Sequence, residues 1–309
     1  MMKRISFFVL VLVVGMGSAA LLLRHEPPVR FDASPSGVSQ LRVPKAISLT
    51  DFQRPMDRDL IYRLRELETS KIARAVDQHF VRPFLDDVQI RTMTVDGLEV
   101  TPTQFLSLNA LVMDCARVLH VEKLPRVFVV ERPGLLLAVE NLSDPVILVH
   151  TSILRRFKNP AELRFLIGRE LGHFQAGHTR WQTLARKTQA CLERADFMRT
   201  GVTRVALLPV FQWVREAEMT ADNAGLVCAQ DIQAAERAIV RLATGIDDFT
   251  LKEINVDGYL QQTATQSFSD FSDFALLWKE FNRPIPFGPV RIKQLREFFA
   301  SADYRRLWE

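Results

Sequence analysis

In Gly168-Arg169-Glu170-Leu171-Gly172-His173-Phe174-Gln175-Ala176-Gly177-His178, a guanidinium, a carboxylate and an imidazole fall within little more than one helical turn. A His-Glu-x-x-His helix sets two imidazoles four residues apart on one face to hold zinc. The intervening glutamate then polarises the metal-bound water. Here Glu170 and His173 stand at the general-base and second-histidine positions, but Arg169 stands where the first histidine belongs. A guanidinium has no lone pair to offer and stays protonated, so it cannot ligate zinc and repels a dication.

The helix that carries these residues is legible. Asn159 can cap it, Pro160 suits its first position, and Glu162 follows three residues after the cap. Leu163, Leu166, Ile167 and Leu171 continue it as an apolar stripe. His178 lies five residues beyond His173, about 140° round an ideal helix, so it reaches the site only if the helix ends near Gly177. It is read as a histidine packed or hydrogen-bonded at a helix end, and His79, His120 and His150 are read in the same way.

A third ligand is expected from a later helical stretch, Trp213 to Leu226, where Glu218 and Asp222 are four apart and share a face. By themselves, paired carboxylates on a helix are usually a solvated surface. Before the central helix, Arg126–Glu131 and Val146–His150 read as short buried strands. Asp96-Gly97 predicts a hairpin turn between Thr92–Val95 and Leu98–Val100. Amphipathic helices are expected over 57–82, 101–121, 181–199, 202–230 and 231–243 and from Val290, and Val205–Phe211 reads as core rather than a bilayer span.

Gly-x-Glu-Leu-Gly-His-x-x-x-Gly-His, followed by Arg-x-x-Glu-x-x-Ala-Asp-x-Ala-Gly, resembles the HtpX and CAAX-prenyl-protease family of zinc metalloendopeptidases, which are gluzincin-type. The resemblance extends over roughly 100–305. It implies an α+β, mainly helical zincin-like metallopeptidase domain with a small sheet beside the active-site helix. It implies zinc as cofactor, Glu170 as general base, His173 and Glu218 as metal ligands, and Asp222 and Arg291 as supports behind them. Leu137-Ala138 stands where the family usually shows Asn-Ala on a strand near the cleft, and Ile285-Pro286-Phe287 where it shows His-Pro-Phe. Arg169 at the first-ligand position implies weak or absent zinc and an ion pair from Arg169 to Glu218 or Asp222.

Three functions follow as expectations. The first is a degenerate peptidase that binds a protein or peptide client or serves as a scaffold. The second is an active zinc endopeptidase using Glu170, His173 and Glu218 with a non-standard extra ligand. The third is a structural helical domain whose motif match is accidental.

Composition constrains the rest. The chain has 309 residues, 48% of them hydrophobic, which is ample for a core. Its 40 basic and 36 acidic residues are interspersed and leave a net charge of +4, so nucleic acid is not an expected partner. Cys115, Cys191 and Cys228 are scattered and read as small buried hydrophobes. Lys3 and Arg4 precede an uncharged run of 19 residues, Ile5 to Leu23. This run reads as a membrane anchor, with Gly17-Ser18-Ala19-Ala20 offering the alternative of a cleaved signal peptide. The two basic residues hold the N-terminus in the cytoplasm, which places the body on the periplasmic or extracellular side. Residues 24–56, rich in proline and serine, read as a linker, and 57–309 as the metallopeptidase-like domain.

Overall fold

The computed structural model describes residues 41–68, 92, 94–131, 136–140, 145–179, 181–182, 201–247, 250, 252–264 and 286–309, with side chains left aside at 64–68, 201–211 and 263–264. The chain divides into units Met1–Ser34 and Pro35–Glu309, and every described residue belongs to the second. The apolar run 5–23, His79, Cys191 and residues 183–199 of the helix expected over 181–199 lie outside the described residues. Among those described, no helix is long and apolar enough to cross a membrane.

The element order is α1 (Pro55–Glu68), β1 (Leu98–Glu99), α2 (Leu106–Val118), β2 (Arg126–Val130), β3 (Leu137–Glu140), β4 (Val146–His150), α3 (Thr151–Arg156), α4 (Pro160–Ala176), α5 (Gly201–Ala229), α6 (Ile232–Thr244), α7 (Val256–Ala264), α8 (Gly288–Ala300) and α9 (Ala302–Arg306). This is the expected α+β, mainly helical architecture with one small mixed sheet. The strand order is β1-β2-β4-β3, with β2 and β4 parallel and the outer pairs antiparallel. β4 is buried at every position, as its unbroken β-branched and leucine run requires of a strand covered on both faces.

The expected hairpin over 92–100 is not formed. Thr92 and residues 94–96 are helical, Gly97 makes the bend, and Leu98–Glu99 pairs with Val129 and Phe128 of β2 instead. Glu99 is fixed there by Arg126, which donates to both carboxylate oxygens at 2.8 and 3.0 Å. The local turn signal was real, but its strand found a distant partner.

α4 and α5 make the most extensive helix pairing among the described residues. Small residues allow it. A Cβ added at Gly168 would lie 2.7 Å from Cys228 Sγ, and one at Gly172 would lie 2.5 Å from Ala224 Cβ. Cys115 and Cys228 are fully buried, and burial pushes the Cys228 thiol well above its ordinary pKa, as befits inert core residues.

Residues 41–57 run along α5 toward its N-terminal end. Gln230 pairs with both the N–H and the carbonyl of Arg42, Asn223 donates to the Phe52 carbonyl at 3.0 Å, and the Arg54 N–H donates to Thr220 at 3.1 Å. Phe52 is buried. The last part of the stretch assigned to the linker is therefore held against the body. α1 continues from it and seats Ile61 against Trp213, Val214 and Ala217 of α5.

Candidate active site

α4 begins as its sequence indicates: Asn159 Oδ1 accepts the Ala161 N–H at 2.8 Å and Pro160 occupies the first turn. It ends at Gly177, which takes φ +71°, a left-handed conformation that glycine adopts without strain. The His178 N–H then bonds the His173 carbonyl at 3.0 Å and the Gly177 N–H bonds that of Phe174 at 3.1 Å. The reversal folds His178 back over His173 instead of carrying it round the helix.

The close approach of α4 and α5 brings Arg169 between Glu218 and Asp222. Its Nη2 donates to Glu218 Oε2 at 2.5 Å and its Nε to Asp222 Oδ1 at 2.5 Å. Arg291 of α8 holds the same aspartate with two bonds, 2.8 and 2.7 Å. All four residues are buried. The ion pair expected of Arg169 is thus present with both partners, and it is buried. Burial alone would raise the Asp222 pKa, but Arg291 and Arg169 outweigh it and hold the carboxyl below its usual range. Burial opposes the Arg169 charge too, yet Asp222, Glu218 and Glu170 push its pKa up still further.

Glu170 points from α4 to the sheet. Its Oε2 accepts the backbone N–H of Val139, on edge strand β3, at 2.8 Å, and its Oε1 lies 3.8 Å from Arg169 Nη1. His173 Nε2 lies 3.6 Å from Glu218 Oε1.

Three residues that sequence reasoning did not assign to the site complete it. His178 is fully buried, with its Nδ1 3.0 Å from His173 Nδ1 and its Nε2 3.0 Å from Asp57 Oδ2. It is the hydrogen-bonded histidine at a helix end that its spacing suggested. Asp57 also accepts from Trp213 Nε1 at 2.9 Å, Thr220 at 2.9 Å and Gln53 at 3.1 Å. Burial would raise its pKa, but the bond and charge of His178, then Gln53 and Thr220, bring it below the usual carboxylate range. Gln182 Nε2 lies 3.1 Å from Glu218 Oε1 and 3.3 Å from His173 Nε2. No spacing rule marks a lone glutamine. Asp57 lay at the edge of what read as linker.

A cavity of about 410 Å³ opens over this floor. Leu136, Leu137 and Ala138 of the edge-strand region form one wall, and Leu242, Tyr259, Pro286 and Phe287 line it elsewhere. Ile285 lies outside the described residues. The cavity is apolar at its sides and polar at its base, the character of a small-molecule or peptide site.

Zinc needs three or four nitrogen, oxygen or sulfur ligands. Of the matched positions only His173 and Glu218 can donate, and a guanidinium occupies the space between the carboxylates. Among the described residues, no group of three or more His, Cys, Asp or Glu side chains is arranged to hold a metal ion. The donor set does not fit zinc.

Comparison with known proteins agrees with the motifs. The model of peptidase family M48 matches residues 102–298, more than half of the chain. The plastoglobule-localized metallopeptidase 48, chloroplastic, of Arabidopsis thaliana is 25% identical over 303 residues, covering 90% of this chain and 84% of that protein. No solved structure matches. Peptidases of family M48 are zinc-dependent. By this match the chain belongs to peptidase family M48.

Proposed function

We propose that this chain is a degenerate family M48 metallopeptidase that binds a protein or peptide client in its cleft without hydrolysing it. The observation that carries the reading is the Arg169 guanidinium, bonded at 2.5 Å to both Glu218 and Asp222. A fixed cation at that point neutralises carboxylates that a zinc ion would otherwise share. It cannot lower the pKa of a water molecule, and Glu170 without a metal has no activated water to deprotonate. The charge-assisted fork of arginine suits a structural role in place of the ion.

Lys3, Arg4 and the apolar run from Ile5 to Leu23 support placing the body at a membrane, on its periplasmic or extracellular side, by an anchor. A scaffolding role there fits a cleft of about 410 Å³ that stays open above a base closed by the Arg169 ion pairs.

The test is elemental analysis of the purified full-length chain together with cleavage of an unfolded protein such as casein. Far less than one zinc per chain and no cleavage are expected. One zinc per chain, lost on Glu218→Ala, with cleavage of casein, overturns the proposal in favour of an active endopeptidase with an additional ligand.

A further inference from the structure

Arg156, the last residue of α3, is part-buried. Its Nε and Nη2 are buried and have no hydrogen-bond partner, and the guanidinium makes no ion pair among the described residues. Glu162, the nearby buried carboxylate, is already taken. Arg241 Nη1 donates to its Oε2 at 2.6 Å and Arg237 Nε to its Oε1 at 3.0 Å. Arg241 is fully buried, and its Nη2 turns back to the Arg156 carbonyl. Two guanidinium groups thus sit over the Phe157 ring, Arg241 at 4.3 Å and Arg156 at 6.0 Å from its centre. Burial, then the charge of Arg241, pushes the Arg156 pKa down, as expected of a cation with no counter-charge. The negative end of α3 favours a charge there but gives it no hydrogen bond among the described residues. Native structures keep few buried N–H groups without an acceptor, and a ligand that brings one accounts for these.

Two contacts put α3 beside the cleft. The Arg156 Nη1, which is not buried, lies 3.3 Å from where a Cβ on Gly245 would be, and Gly245 follows Thr244, a residue of the cavity wall. Where α3 begins, the His150 N–H bonds the carbonyl of Leu136, on the edge-strand wall, at 2.9 Å. We infer that Arg156 is a specificity residue: where the bound client leaves the cleft beside Thr244, the guanidinium takes a carboxylate of the client. The inference rests on the client-binding reading above and deepens it by naming a group the client must carry. A guanidinium suits a carboxylate because the two can share charge-assisted hydrogen bonds. The same pairing supplies the counter-charge that Glu162, bonded to Arg241 and Arg237, does not offer to Arg156.

Full-length wild type, R156M and R156K are titrated with short rhodamine-labelled peptides of leucine and alanine, amidated at the C-terminus, that carry one glutamate or a glutamine in its place. A further arm is the glutamine peptide with a free C-terminal carboxylate, which tells a chain end from a side chain as the source of the group. Fluorescence anisotropy reads the affinity. Wild type is expected to bind a carboxylate-bearing peptide about tenfold more tightly than the amidated glutamine peptide. R156M is expected to lose that preference and R156K to keep part of it. Equal affinities in wild type, or an undiminished preference in R156M, overturn the role of Arg156 and leave the client-binding reading standing. No binding of any peptide overturns that reading, and this inference with it. Melting temperature gives a check that needs no peptide. R156M keeps an apolar stem and removes a charge that the fold does not pair, so it is expected to melt at the wild-type temperature or above it. A clear fall would reveal an arginine that the fold itself uses, and overturns the inference.

Discussion

Arg169 Nη2 meets Glu218 Oε2 at 2.5 Å across the α4–α5 interface, with the two side chains 8% and 11% exposed. At that burial the guanidinium is held in place by the charges around it. Arg169 and Arg291 face Glu170, Glu218 and Asp222, and no member can leave without stranding another. Arg169→Ala is expected to cost on the order of 3–5 kcal/mol in denaturant unfolding, the loss typical when one partner of a buried pair is removed. Glu218→Gln should recover part of that loss in the double variant. A mild effect of Arg169→Ala, with strict additivity in the double-mutant cycle, would show an arginine that carries no such load.

Acid should unfold the protein through this same network. Asp222 and Asp57 have pKa values below the usual range in the folded state. A depressed folded pKa contributes stability that is fully present above the unfolded value, about 3.9, and is lost as pH falls through the folded one. Unfolding free energy should therefore decline steeply below about pH 4. Asp57→Asn should lower stability at pH 7 and flatten that decline, measured by urea unfolding at a series of pH values. An unchanged slope would place the acid sensitivity elsewhere.

The α4–α5 approach offers a sharper steric test. A Cβ at Gly172 meets Ala224 Cβ at 2.5 Å, and neither atom belongs to a flexible chain end, so the helices must part. Gly172→Ala is expected to cost about 1–3 kcal/mol, the usual range for overpacking. Gly258→Ala, where the nearest atoms lie at 3.5 Å, is expected to be neutral or stabilising by up to about 1 kcal/mol, since glycine is the poorer helix residue. Equal thermal shifts for the two would mean that the close approach is not tightly packed.

Much of this arrangement is legible in the sequence. The Asn159–Pro160 start and the leucine stripe fix where α4 begins and which residues it carries, and the β-branched runs mark β2 and β4. The pairing of Arg169 with Glu218 and Asp222 follows once the two motifs are taken to converge on one point. The reading fails where a residue's role is set by chain that is remote in sequence. Residues 92–95 look like the first arm of a hairpin because Asp96-Gly97 follows them, yet Leu98 and Glu99 gain more by pairing with β2. Asp57 and Gln182 carry no local mark of burial. Each is buried only because 41–57 lies along α5 and because the chain turns back at Gly177. β3 is four residues of ordinary composition, and only the resemblance suggested a strand there.

Glu170 gives the last prediction, because its carboxylate also joins the central helix to the sheet. Its Oε2 accepts the Val139 N–H at 2.8 Å. In the β3–β4 register, His150 N–H bonds the Leu136 carbonyl, and alternation turns the Val139 N–H away from β4 and toward α4. Glu170 therefore ties the sheet's edge to the central helix. Leaving a buried donor unsatisfied costs about 1–3 kcal/mol, so Glu170→Ala should lose that much stability. Hydrogen exchange at the Val139 amide should accelerate in step. Glu170→Gln keeps an acceptor oxygen and should retain most of the protection, while weakening the charge balance around Arg169. If Glu170→Ala leaves both stability and Val139 exchange unchanged, the carboxylate is not the tie between β3 and α4.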